Sequence, residues 1–183
     1  HPLFLIAVPR GSVWFIFGRD VMPKIDLEGA DYRVGRYPAL LHAYTGGITD
    51  DYRSIALGDL AGLTQFGVNK AILPPQTGTA MRHWHETQDE FVIILSGTAT
   101  LIDKDGAVEL GAGECAGFKA GDDNGHAIVN RSDADVVLLE IGTRTAREVV
   151  HYSDHDLINI SEMDGAIRTY AYTTKDGTIV PTS

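Results

Sequence analysis

The chain predicts an all-β fold, a sandwich or small barrel, on three observations. From residue 65 onward, apolar runs of about four to nine residues recur at a spacing of roughly 8 to 12, as in short strands joined by tight turns. Turn-forming residues separate them: Pro74-Pro75, Lys104-Asp105-Gly106, Gly111-Ala112-Gly113 and Asp176-Gly177. Long helices are excluded from residues 23 to 64, where Gly35, Pro38, Gly46, Gly47, Gly58 and Gly62 interrupt the pattern.

Taken in order, QFGVNKAIL is the first strand and stops at the double proline. MRHWH and EFVIIL follow. TATLID and AVEL flank the turn at Lys104-Asp105-Gly106, then come ECAGF, HAIVN and DVVLLEIG at 135 to 142. In EFVIIL, Phe91, Ile93 and Leu95 oppose Val92 and Ile94, so burial on two faces is expected. RTYAYTTKDGTIV forms a C-terminal hairpin about Asp176-Gly177. No repeat or linker divides the chain. Residues 22–64 are an irregular N-terminal extension, 65–142 the barrel core, and 143–183 a segment completing the same domain.

Residues 1–21 stand apart. VPRGS at 8 to 12 has the composition of a protease-cleavable expression-tag remnant, which sets a native start at Met22. The apolar LFLIAV also suggests a signal peptide, but the run is short, nothing basic precedes it, and no small-x-small site follows. Without these residues the chain loses Arg10, Arg19 and Asp20 and becomes one unit more negative.

At 183 residues the chain is long enough to bury a core as one domain. A formal charge of -10 and a pI near 5.0 exclude the basic surface that nucleic acid requires. One cysteine, Cys115, rules out an intramolecular disulfide and fits the cytoplasm; lying in an apolar strand, it is expected in the core. No run approaches the ~18 apolar residues of a membrane span.

The chemistry concentrates in RHWHETQDEFVIILSG at 82 to 97. Residues i and i+2 of a strand share a face, so His83 and His85 point one way, Arg82 and Trp84 the other. Glu86 to Asp89 read as a turn, and Glu90 opens the returning strand. Such a hairpin brings two imidazoles and a carboxylate to one point, a donor set for a divalent transition metal. Glu86 and Asp89 are rival carboxylates, placed on the wrong face by their offsets. His126 heads HAIVN, sharing a face with Ile128 and Asn130 behind the loop Gly121-Asp122-Asp123-Asn124-Gly125; by itself it reads first as a structural histidine at a strand start.

Gly78-x4-His83-x-His85-x4-Glu90-x6-Gly97 resembles the first cupin motif, and Gly113 to Phe118, Lys119-x-Gly121, His126 and Asn130 resemble the second. The stretches GLTQFGV, HWHETQDEF, ECAGFKAGDDNGH, VNRSDA and EIGTR are similar to a bacterial single-domain cupin group of mostly unassigned function, a likeness running from about Met22 to the C-terminus. Two departures stand out: Lys119 replaces the usual proline, and four residues rather than two separate Gly121 from His126. The resemblance implies a double-stranded β-helix, a jelly-roll barrel with inward ligands near one mouth. It also implies a metal held by His83, His85, Glu90 and His126. Three nitrogens and one oxygen leave about two open positions on octahedral Fe, Mn, Ni or Co, and none on tetrahedral Zn.

The function implied is a metal-dependent enzyme acting on a small polar substrate, of oxygenase, isomerase, decarboxylase or lyase type. The alternatives are a non-catalytic binding or sensing cupin whose metal anchors a ligand, and a storage cupin. Against a transcriptional sensor, residues 22 to 64 are too broken by glycine for a DNA-binding helical domain. A small-molecule ligand and a homodimer paired through sheet edges are expected, with no nucleic-acid or membrane partner. No Arg/Lys cluster marks an anion clamp. HYSDHD, with His151, Asp154, His155 and Asp156, reads as a solvated loop. Tyr152, Tyr170 and Tyr172 are candidates to place a phenol at the mouth, and Gln65 and Asn69 to support a ligating histidine.

Overall fold

The computed structural model describes residues 24–164 and 167–181; the tag reading of residues 1–21 lies outside them. The strands are β1 (Arg33–Val34), β2 (Arg53–Ala56), β3 (Phe66–Leu73), β4 (His83–His85), β5 (Glu90–Ser96), β6 (Ala99–Asp103) and β7 (Gly106–Leu110). They continue as β8 (Cys115–Phe118), β9 (Ala127–Val129), β10 (Val136–Thr143), β11 (Arg147–Tyr152), β12 (Ile158–Asp164), β13 (Ile167–Thr173) and β14 (Ile179–Val180). Among the described residues, helix is confined to a 3-10 turn at Ala39–Leu41 and single turns α1 (His42–Thr45) and α2 (Leu57–Leu60). Among the described residues, no helix is long and apolar enough to cross a membrane.

One layer is a six-stranded antiparallel sheet ordered β1-β2-β3-β10-β5-β8. Opposite it lie β14-β13-β12-β11-β4 and β7-β6-β9, stitched together by the bridges Gly78↔Val129 and His83↔His126. The result is the double-stranded β-helix expected from sequence. The N-terminal extension is more regular than its glycines suggest, because β2 pairs with β3 from Arg53↔Ile72 to Ala56↔Asn69. Two further strands, β11 and β12, occupy a region read from sequence without strands.

The core divides into two clusters. Tyr52, Ala71, Leu73, Val92, Ile94, Ala99, Leu110, Ile128, Val136 and Leu138 fill one end between the layers. Leu41, Met81, Tyr152, Leu157 and Tyr172 form the second, where the 3-10 turn packs under β11 and β13. A motif glycine shows its reason here. Gly97 has φ +82, and an added Cβ would lie 2.8 Å from the Asp135 carbonyl, so only glycine fits.

Three expectations are corrected. β4 and β5 are not a hairpin: β4 pairs with β11, and β5 with β10 and β8, so the two strands lie in opposite layers. β5 is buried on one face only, since Val92 and Ile94 are buried while Phe91 and Leu95 are 40% and 45% exposed. Cys115 is exposed, on the outer face of β8 at the sheet edge. The last two errors treated a continuous apolar run as evidence of two covered faces.

Candidate metal centre

Glu90 enters from the six-stranded layer and His83, His85 and His126 from the layer opposite. The strand period turns Glu90, Val92 and Ile94 to the interior together, so the carboxylate continues the core face. His83 and His126 oppose each other through reciprocal backbone bonds, His83 N–H to the His126 carbonyl at 3.0 Å and the reverse at 2.8 Å. Both are nearly inaccessible, at 4% and 3%.

Gly125 makes that pairing possible. A Cβ there would fall 2.0 Å from Ser153 Oγ and 3.3 Å from the His83 carbonyl carbon. The long loop before His126 is itself tied down. Gly121 N–H donates to the His85 carbonyl at 2.8 Å, and Asn124 Nδ2 to Asp103 Oδ2 at 3.1 Å. The two extra residues are absorbed without displacing the histidine.

Glu90 Oε2 is the common neighbour of three imidazoles: 3.0 Å from His126 Nε2, 3.6 Å from His85 Nε2 and 3.9 Å from His83 Nε2. Adjacent ligands on an ion with bonds of ~2.1 Å lie roughly 3 Å apart, so the spacing suits a metal with a little contraction. The donor atoms of His83, Glu90 and His126 lie within 4.8 Å of one another. His85 reaches the shared oxygen but stands outside this triplet. In chemistry as in spacing, the residues fit a divalent ion.

The surroundings orient the donors. His83 Nδ1 lies 2.8 Å from the Met81 carbonyl, an acceptor only, so Nδ1 carries the proton and Nε2 presents its lone pair. Burial holds the His83 imidazole down at about 3, a neutral ligand form. The His126 ring stacks on Phe118 at 3.4 Å and 3°. Burial opposes charge on Glu90, yet the His126 and His85 contacts prevail and hold its carboxyl well below the usual range.

A second carboxylate, Glu148 on β11, was not foreseen. It is 2% exposed, and Oε1 lies 3.7 Å from His85 Nδ1, an ionic rather than hydrogen-bonding distance. It accepts the Glu86 N–H at 2.8 Å, the Thr87 N–H at 3.2 Å and the Thr87 hydroxyl. Burial resists charge on both groups, but their mutual attraction and the Thr87 bonds win. Glu148 falls to about 2 and His85 rises to about 9.

His85 and Glu90 open on a cavity of about 880 Å³ between the layers, within the range of small-molecule sites. Arg33, Arg36, Arg144 and Arg168 line it, which corrects the expectation that no basic cluster exists. They come from three separate segments, Arg33 and Arg36 from one, Arg144 and Arg168 from the others, so no local run announces them. Arg36 donates to Glu140 at 2.9 Å, and Tyr52 Oη donates to the same buried carboxylate at 2.7 Å.

The remaining candidates sort clearly. Arg82 turns outward and pairs with Asp154, as its offset predicts. Trp84 stacks on His151 at 4.1 Å, while His151 Nε2 lies 2.8 Å from Glu86 Oε1. His151 therefore belongs to β11 rather than to a solvated loop. Asp89 Oδ1 accepts the Ala120 N–H at 2.8 Å, a turn contact. Tyr170 lines the cavity, whereas Tyr152 and Tyr172 are buried in the second core cluster. Asn69 lines the cavity too, while Gln65 precedes β3.

Comparison with known proteins agrees with this architecture. Residues 69–142 match the cupin domain family. The chain is 42% identical to a sugar phosphate isomerase of the cupin superfamily from Silicibacter pomeroyi, covering 87% of this chain and 97% of that one with a TM-score of 0.77. A Cupin 2 conserved barrel domain protein from Salinispora arenicola shares the fold at 17% identity and TM-score 0.51, covering 69% and 92% of the two chains. So does the polyketide cyclase RemF from Streptomyces resistomycificus, at 18% identity and TM-score 0.54 over 67% and 79%. No curated protein matches the chain. From the facing layers, the ligand-bearing mouth and the extended likeness to the Silicibacter protein, the chain belongs to the cupin superfamily.

Proposed function

We propose that this cupin is a metal-dependent isomerase of a small sugar-type substrate, with His83, His85, Glu90 and His126 holding one divalent ion. The observation that carries this reading is a donor cluster opening on a polar cavity of about 880 Å³. The name of the 42% identical Silicibacter protein selects isomerisation from the wider set of oxygenase, decarboxylase and lyase chemistries. When bound, the metal would act as a Lewis acid toward a substrate carbonyl or hydroxyl. Glu90 supplies the anionic donor. Glu148, its oxygens already engaged by Glu86 and Thr87, holds the edge of His85 rather than taking a substrate proton.

The test compares Fe, Mn, Ni, Co and Zn forms against a panel of aldose and ketose phosphates in deuterated solvent. Isomerisation with solvent-proton exchange, retained by a redox-inert ion, is the expected result. Oxygen consumption, or activity with Fe alone, would replace the isomerase by an oxygenase. Ligand binding without turnover in every form would favour the non-catalytic reading.

Two copies of this chain are expected to pair, through a sheet face rather than an edge. On the outer side of β3, β10 and β5, Val68, Ile72, Val137, Leu139, Ile141, Phe91, Ile93 and Leu95 form an apolar strip broken by Lys70. The strip is roughly 14 Å wide and 20 Å long, about a third of the ~800 Å² per partner of a stable dimer, so it would be the apolar centre of a contact completed by a polar rim. Light scattering should give about twice the 19.8 kDa of one chain. A one-chain mass at micromolar concentration would end the proposal. The exposed thiol of Cys115 suits a reducing compartment, and we place the protein in the cytoplasm.

A further inference from the structure

The four cavity arginines are not equivalent. Arg36 is neutralised by Glu140, and Arg144 by Asp59. Arg168 instead donates Nη1 to Ser161 Oγ at 2.9 Å and Nη2 to the Thr145 carbonyl at 2.6 Å. Arg33 donates to the Arg36 carbonyl at 3.3 Å. Among the described residues, neither Arg168 nor Arg33 has a carboxylate partner, and both line the cavity.

Neutral acceptors fix a guanidinium without cancelling its charge. Arg168 spends two of its five N–H donors on Ser161 and Thr145, leaving the rest of the fork for an incoming anion. Its placement is specific. Ser161 lies opposite Glu148 on the adjacent strand, and Glu148 lies 3.7 Å from His85. Strand spacings of ~4.8 Å then put the Arg168 head roughly 10 Å from the metal donors. The cavity wall holds five carboxylates, Asp59, Asp89, Glu90, Glu140 and Glu148, against four arginines. A divalent cation reverses that balance, so the loaded cavity attracts anions.

We infer that Arg168, assisted by Arg33 across the cavity, is the subsite for the phosphate monoester of the substrate, with the reacting carbons lying toward the metal. The inference rests on the proposed isomerase reading for the substrate's other end, but it is tested without turnover. Inorganic phosphate would be titrated into the metal-loaded full-length protein by calorimetry, with acetate and oxalate in parallel. Wild type should bind phosphate in preference to either carboxylate. Arg168→Gln should weaken phosphate at least tenfold, Arg168→Lys less, and Arg33→Gln by a few-fold. Arg147→Gln, whose partner Glu162 lies outside the cavity, should leave it unchanged. Unchanged melting temperatures would show that the variants fold. Phosphate affinity insensitive to Arg168→Gln, as for an ion held by the metal alone, would overturn the inference, and so would equal binding of the carboxylates. Arg168-dependent phosphate binding by a protein that isomerises nothing would uphold the subsite while removing the isomerase.

Discussion

The two ends of the six-stranded layer are built from the same three strands and the same inward face, yet only one is a core. Across β3, β10 and β5, Leu138 faces Ala71 and Ile94; one step along, Glu140 faces Asn69 and Val92; another step brings Gly142, Gly67 and Glu90. Each step is roughly 7 Å. The strand propensities barely change, but the opposite wall does: Leu110, Ile128 and Ala99 at the closed end, His83, His85, Glu148 and Arg168 at the open one. A carboxylate can follow a core residue by one period because a partner waits across the gap.

The largest effect expected of this contrast is on metal occupancy. His83→Ala, Glu90→Ala and His126→Ala should each remove most bound metal while the closed end keeps the chain folded. His85→Ala should weaken binding less, because His85 lies outside the tightest triplet. Full occupancy by elemental analysis in any triplet variant would break the comparison. The mirror experiment is Ile94→Ala, a completely buried position. It should cost about 2–5 kcal/mol in denaturant unfolding and leave metal stoichiometry intact.

Glu140 tests the boundary between the two ends. Its replacement by Gln leaves Arg36 and Tyr52 around a weaker acceptor, at a cost of about 1–3 kcal/mol by the same unfolding measurement. A neutral outcome would mean that the polar row is not structural. The smallest effect belongs to the outward face, where Asp154 pairs with Arg82. That hydrogen bond holds the Asp154 carboxyl below its ordinary value. The stabilisation is therefore present above about pH 4 and lost as pH falls through the lowered value. Because Asp154 is 54% exposed, it amounts to a few tenths of a kcal/mol. Asp154→Asn should lower the melting temperature slightly at pH 7 and not at pH 2.

Sequence reading reached the barrel and a set of donor side chains that the fold brings together, but not the cavity around them. His83, His85, Glu90 and His126 were legible because strand period and motif glycines fix their faces locally. Glu148 was not: β11 carries a buried Glu between residues of mixed polarity, and its partner strand β4 lies far away in the chain. Arg33 and Arg36 escaped for a similar reason, since what makes a clamp of them is Arg168 on β13, more than 130 residues on in the chain. Cys115, Phe91 and Leu95 misled because an apolar run does not reveal which face a neighbouring layer covers.

The reciprocal backbone bonds between His83 and His126 mean that these two imidazoles are registered by the sheet and need no ion to bring them together. A zinc finger folds around its metal and collapses without it. Here the chelating geometry belongs to the β-ladder, so little folding energy is tied to occupancy. An ion bound there would leave and be replaced on the timescale of ligand dissociation rather than of unfolding. On the proposed reading the barrel is a standing socket, and the element it would carry follows the free-metal pools around it.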